Sequence, residues 1–361
     1  MRFAFFGSSL VSAYWNGAAT YYRGLLRALA ERGHSILFCE PDAFERQAHR
    51  DIDDPDWAEV LVFPADAPGL ERALARAGDA DVVVKFSGVG VLDVELEHAV
   101  LARRRPHQSV LFWDVDAPAT LDRMGANEPD HLRPLIPRYD AVFTYGGGDT
   151  VVQAYESFGA RMCVPIYNAV DPDTHHPVPP EPRFESDLAF LGNRLPDREA
   201  RVEEFFLGAA ERLPERRFLI GGNGWADKPM PRNVANAGHI YTRDHNAFNC
   251  TPLAVLNVNR ESMARYGASP ATRIFEAAGA GACIISDAWD GIAEFLEPEK
   301  EILLATRGQN VAEHLQALDP AKARRIGEAA RRRVLAEHTY ALRAGEVAAV
   351  LEGHTTLKEA V

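Results

Sequence analysis

Arg2-Phe3-Ala4-Phe5-Phe6 opens the chain as a short apolar run. Residues 7–17 interrupt it with a glycine-containing loop, and residues 20–32 then take up helical spacing. In that stretch Tyr22, Leu25, Leu26 and Leu29 share one face, Arg23, Arg27 and Glu31 turn to water, and Gly33 is placed to close the helix in a left-handed cap. Residues 35–39 give a second buried strand. Strand, helix and strand in this order form a βαβ unit, which implies a parallel sheet. Apolar runs rich in β-branched residues recur at 60–63, 81–86, 109–113 and 141–144, with helical stretches such as 68–77 between them, so both faces of the sheet are expected to be covered. Asp51-Ile52-Asp53-Asp54-Pro55-Asp56 lacks EF-hand spacing and reads as a solvated loop.

From Asn168 the texture changes. Asp171-Pro172-Asp173-Thr174-His175-His176-Pro177-Val178-Pro179-Pro180-Glu181-Pro182 reads as an extended, proline-rich linker. A second doubly wound pattern follows, with strands at 187–191, 217–220, 253–258 and 282–286. The expected division is a first Rossmann-like domain over 1–167, a linker over 168–183, a second Rossmann-like domain over 184–335 and a helical tail over 336–361 that can return to the first domain. No metal site is expected: adjacent His175 and His176 on an extended chain point apart, no carboxylate cluster accompanies them, and the four cysteines have no ligand spacing.

A formal charge of −13 opposes binding to nucleic-acid phosphates or anionic lipid. Gly7-Ser8-Ser9 cuts the first apolar run short of a signal peptide, and no run approaches the roughly 20 apolar residues of a membrane span. Scattered Cys39, Cys163, Cys250 and Cys283 fit a reducing compartment, so a cytoplasmic protein is expected. The sequence carries no sign of an oligomeric state.

Two doubly wound domains joined by a linker are expected to set the carboxyl ends of two sheets across one cleft. The strongest candidate for that cleft is Thr272-Arg273-Ile274-Phe275-Glu276-Ala277-Ala278-Gly279-Ala280-Gly281, ahead of the strand Cys283-Ile284-Ile285-Ser286. Glu276 lies in an otherwise small and apolar helix, where a buried carboxylate needs hydrogen-bond donors such as paired sugar hydroxyls. Thr272 at the helix start, with Arg273 beside it, is suited to a diphosphate through helix dipole and charge. A helix whose Glu276 merely caps or solvates is the competing reading.

This segment resembles the donor-binding motif of GT-B glycosyltransferases of the glycosyltransferase group 1 class, and the second domain is similar to their spore-maturation CgeB-type branch. The resemblance runs through Phe190-Leu191-Gly192-Asn193 with Arg198, Leu256-Asn257-Val258-Asn259-Arg260 with Met263, the signature above, and Ser286-Asp287 with Trp289-Asp290-Gly291. A weaker match takes in Asn16-Gly17-Ala18-Ala19-Thr20 with Tyr22-Arg23, and Asp114-Val115-Asp116-Ala117-Pro118. It implies that Glu276 binds the ribose hydroxyls of a nucleotide sugar, UDP- or GDP-linked, while Arg198 and Arg273 neutralise its diphosphate. Asn193 and Asn259 would line the site, and Arg194 and Arg260 are alternatives for the phosphate role. Retaining members often carry a second glutamate where this chain has Ala268, which leaves the sugar and retention of configuration open.

In the first domain, Gly7 and Ser8 with Asn16 and Gly17 are expected in the cleft, although they do not spell a dinucleotide fingerprint. Asp114 and Asp116 alternate on an extended chain and are the candidate acid/base pair, unless one of them caps the next helix. Gly146 and Gly147, and Gly222 with Asn223, either line the cleft or form simple turns. The expected activity is hexosyl transfer from a nucleotide sugar to an unidentified acceptor, retaining, metal-independent and without a cofactor. A nucleotide-sugar epimerase or hydrolase on the same fold, or a two-domain binding protein without catalysis, would share the donor site.

Overall fold

A computed structural model describes residues 1–126 and 129–359; the last two residues of the expected tail, Ala360 and Val361, lie outside the described residues. The chain divides into two compact units. Met1–Tyr167 with Tyr340–Val361 makes the first, and Asn168–Thr339 the second.

Among its described residues the first unit has seven parallel strands: β1 (Arg2–Phe6), β2 (Ser35–Asp42), β3 (Glu59–Pro64), β4 (Val82–Phe86), β5 (Ser109–Asp114), β6 (Ala141–Thr144) and β7 (Cys163–Pro165). They lie in the order β3-β2-β1-β4-β5-β6-β7. Helices α1 (Ala19–Glu31), α2 (Ala67–Arg76), α3 (Asp93–Ala102), α4 (Ala117–Gly125) and α5 (Gly148–Ser157) supply the crossovers. Buried β1 pairs in register with β2 and β4 at the centre.

The second unit has six parallel strands among its described residues: β8 (Leu188–Leu191), β9 (Phe218–Gly221), β10 (Val234–Gly238), β11 (Ala254–Asn257), β12 (Ile284–Asp287) and β13 (Leu303–Ala305). Their order is β10-β9-β8-β11-β12-β13. Its helices are α6 (Pro196–Val202), α7 (Gly208–Arg212), α8 (His245–Cys250), α9 (Glu261–Tyr266), α10 (Thr272–Gly279), α11 (Gly308–Ala317) and α12 (Pro320–Glu337), with a π-turn over Glu203–Leu207 joining α6 to α7. Leu188, Phe190, Phe206, Phe218, Ile220, Leu256, Ile285 and Leu303 form the centre of its core. Chain order reverses between β8 and β11, and open α/β sheets bind ligands outside the carboxyl ends of their strands at such a point.

The last helix, α13 (Tyr340–Glu359), belongs to the first unit and lies on α1. Gly24 makes room for it: a Cβ there would stand 2.1 Å from the Tyr340 ring. Residues 168–183, expected as a linker, group instead with the second unit and are tied to it. The Val170 amide donates to the His338 carbonyl at 2.8 Å, the Glu181 amide to Thr251 Oγ1 at 2.9 Å, and Asn168 and His175 are buried. Proline removes donors from this segment, but the remaining amides find partners on the unit's surface.

Candidate donor site

The loops that leave β8 and β11 meet at the reversal point of the second sheet. Gly192 follows β8, and its carbonyl accepts from Trp225 Nε1 at 2.7 Å. Asn193 Oδ1 accepts from the Asn223 amide at 2.9 Å, and the Arg194 amide donates to the Asn223 carbonyl at 2.9 Å. These bonds lace the β8 loop to the β9 loop. Gly222 permits the approach: its φ is +117°, and a Cβ would come within 2.4 Å of the Gly192 carbonyl oxygen. Asn193, Gly222 and Asn223, expected as site residues, therefore build the wall of the β8 loop.

Two arginines converge on that wall. A Cβ on Gly192 would meet Arg198 Nη1 and Arg273 Nη2 at 3.0 Å each. Arg198 comes from α6 and Arg273 from α10, so distant segments place two guanidiniums over one glycine. Arg273 also lies over the Phe190 ring, with Cζ 5.2 Å from the centroid, and donates from Nη1 to Asn257 Oδ1 at 3.4 Å. Burial and the charge of Arg198 push the Arg273 guanidinium down to about 9, against the opposing pull of Glu276 and Asp287. Two like charges held together in a partly dry setting are relieved by an anion, and phosphate oxygens match guanidinium geometry.

Glu276 sits one turn further along α10 and is 9 % exposed. The small residues around it keep α10 close to the sheet, so the carboxylate is buried as its sequence context predicted. No side chain caps the start of α10. Thr272 does not aim its hydroxyl at a ligand: Oγ1 donates to Asn168 Oδ1 at 3.0 Å, and Asn168 Nδ2 donates to the Pro270 carbonyl at 3.2 Å.

Other expected phosphate ligands are committed to the protein. Arg194 pairs with Glu199 at 2.8 Å and Asp227 at 3.1 Å, and Arg260 Nε with Asp197 at 2.5 Å. Asn259 is buried in a polar network at the ends of β11 and β12. Its amide donates to Asp287 Oδ1 at 3.1 Å and its Nδ2 to the Ser269 carbonyl at 3.2 Å. Arg201 closes that network through Asp287 Oδ2 at 2.6 Å and the Asn259 carbonyl at 3.0 Å. Sequence reasoning gave no role to Arg201, Asn257 or Asp287; polar residues ending apolar strands were the available signal. Ala268 is strained, with φ +37°, and its amide donates to the Asp290 carbonyl at 2.6 Å.

The expected isolation of His175 does not hold. Its Nε2 lies 3.8 Å from Glu276 Oε1, because residues 168–183 fold against α10 rather than running free.

In the first unit, Asp114 does not fit an acid/base role. It is fully buried, Oδ1 accepts from Ser87 Oγ at 2.6 Å and from the Asp116 amide at 2.9 Å, and Oδ2 accepts from the Tyr155 hydroxyl. It positions the β5–α4 loop. Asp116 is partly exposed at the start of α4, where its side chain does not cap. Ser8 Oγ donates to Asn16 Oδ1 at 2.9 Å, and Asn16 Nδ2 donates to the Ser9 and Ser12 carbonyls, so these residues brace their own loop. Gly7 abuts the Phe38 ring, whereas Gly17 has open space around its missing side chain. Gly146 accepts from Thr144 Oγ1 at 3.0 Å, and Gly147, at φ +101°, forms the turn that starts α5. These two make a turn.

Two units of this kind, each a parallel sheet with helices on both faces, define the fold of GT-B glycosyltransferases. Sucrose-phosphate synthase from Thermosynechococcus elongatus is similar over 99 % of this chain and 100 % of its own, with a TM-score of 0.76 and 14 % identity. HepE of Anabaena, in complex with UDP and glucose, matches over 98 % of this chain and 100 % of its own at TM-score 0.68 and 15 % identity. A glycosyltransferase from Rickettsia africae matches over 98 % of both chains at TM-score 0.64 and 12 % identity. In sequence, a family described as glycosyl transferase-like matches residues 198–349. No curated protein sequence matches the chain. No helix among the described residues is long and apolar enough to cross a membrane.

Proposed function

We propose that this chain is a glycosyltransferase of the CgeB-type branch that takes a hexosyl group from a uridine or guanosine diphosphate donor held by its second unit. The observation that carries the reading is the convergence of Arg198 and Arg273 over Gly192, with the buried carboxylate of Glu276 on the same helix as Arg273. The arginines take the diphosphate and Glu276 accepts from the ribose hydroxyls. As the glycosidic bond breaks, charge grows on the departing diphosphate, so fixed cations favour the transition state over the ground state. Two guanidiniums supply the neutralisation that a metal ion gives elsewhere, which supports metal-independent transfer. The HepE structure with UDP and glucose supports a uridine donor.

The acceptor side falls to the first unit, where Asp116 remains the candidate to orient an acceptor hydroxyl. Retention of configuration is proposed on the resemblance to retaining members, although Ala268 stands where they often carry a glutamate. Free Cys39, Cys163, Cys250 and Cys283 suit the cytoplasm. The test is a thermal-shift panel of nucleoside diphosphates and their sugars on wild type and Glu276→Ala. A uridine or guanosine diphosphate should raise the melting temperature of wild type and lose most of that effect in the variant; no shift, or an equal one in both, refutes the donor site. Diphosphate release that depends on an added acceptor separates a transferase from an epimerase or hydrolase.

A further inference from the structure

Glu276 has neighbours that donor binding does not use. His175 is 2 % exposed, and its Nδ1 is buried with no hydrogen-bond partner. His245, the first residue of α8, also has a buried Nδ1 without a partner. One ligand atom from each of His175, His245 and Glu276 lies within 4.8 Å of the other two. Gly279 allows the approach of the His175 segment to α10: a Cβ there would stand 2.9 Å from the His175 carbonyl oxygen.

Unsatisfied imidazole nitrogens in a dry setting are costly, and the two rings that carry them stand beside one carboxylate, His175 presenting Nε2 to Glu276. Two imidazoles and one carboxylate select a borderline transition ion and not magnesium or calcium, which prefer oxygen, and they leave a fourth position for water. Arg273, whose charge acts on both Glu276 and His245, opposes the ion and makes the site weaker than a structural zinc site.

We propose that His175, His245 and Glu276 form a site for a Zn²⁺-class ion, and that the ion excludes the nucleotide donor by engaging the carboxylate of Glu276. The exclusion rests on Glu276 as the ribose ligand; the site itself does not.

The test uses the full chain, stripped with chelator. Co²⁺ should develop ligand-field absorption that Zn²⁺ abolishes, and calorimetry should give a single ion per chain. His175→Gln and His245→Gln keep bulk and polarity, and each should weaken Zn²⁺ by about tenfold or more, with circular dichroism confirming the fold. At buffered free Zn²⁺, needed because diphosphates chelate the ion, the UDP-induced thermal shift should shrink in wild type. Absence of Co²⁺ bands, or Zn²⁺ affinity unchanged from wild type in both variants, overturns the site. Simultaneous binding of Zn²⁺ and UDP without mutual weakening overturns the exclusion. A chain that takes Co²⁺ but never UDP sinks the donor reading and leaves the metal site standing.

Discussion

Glu276 and Arg273 stand out in the sequence because their neighbours are small and apolar, so a carboxylate and a guanidinium on that helix need partners; the structure buries Glu276 and sets Arg273 with Arg198 at Gly192. Arg194 and Arg260 read equally well in sequence, yet each is held by carboxylates that only folding brings near, Glu199 and Asp227 for one and Asp197 for the other. Asp114 looked like half of a reactive pair and is instead saturated by Ser87, Tyr155 and the Asp116 amide. Which charged side chain stays available is a matter of three-dimensional pairing, and spacing does not report it. At this scale the clearest expectation concerns Arg198. Removing its charge as Arg198→Gln should weaken UDP by roughly 10- to 100-fold, the worth of a charge-assisted contact. The melting temperature without UDP, read beside it, separates a loss of affinity from a loss of stability. Calorimetry and a melting curve give both numbers, and a destabilised variant with unchanged UDP affinity would contradict the assignment.

Among elements, the interior strands announced themselves as continuous apolar runs, whereas β7, β10 and β13 were not predicted. All three lie at sheet edges, where one side lacks a neighbouring strand and a short or polar sequence suffices. β10, Val234–Gly238, is the extreme case, mostly exposed and irregular between Asn236 and Gly238. The loop after β9 shows how an element acquires function through contact: Gly221-Gly222-Asn223 had an even claim to be a simple turn, and the structure makes it the support of Gly192. Gly222→Ala places a side chain on a φ that favours glycine and against a backbone oxygen that cannot move aside. The cost should be about 2 kcal/mol or more, seen as a fall of about 5 °C in the melting of the second unit. The loss of UDP affinity should exceed what the lowered stability explains, since Gly192 shifts with the loop. A variant that melts and binds like wild type would show that the loops do not depend on their close approach.

For the whole molecule, the chain closes its first unit with its last helix. Gly24 and Tyr340 are far apart in sequence and share one contact, with α13 laid on α1. Gly24→Val drives a side chain into the Tyr340 ring, an overpacking worth about 1–3 kcal/mol. It should expose residues 340–359 to limited proteolysis while the UDP-induced shift, which reports on the second unit, is retained; protection equal to wild type would argue against that packing. The sequence by itself determined the class of architecture, because the alternation of short buried strands with amphipathic helices is a local property written in residue periodicity. It also determined that α10 carries a carboxylate needing partners. Tertiary structure decided which arginines face Gly192, which are neutralised by distant carboxylates, and that His175 lies beside Glu276 instead of in a free linker. These are long-range pairings, set by where the chain returns in space, and no periodicity records them.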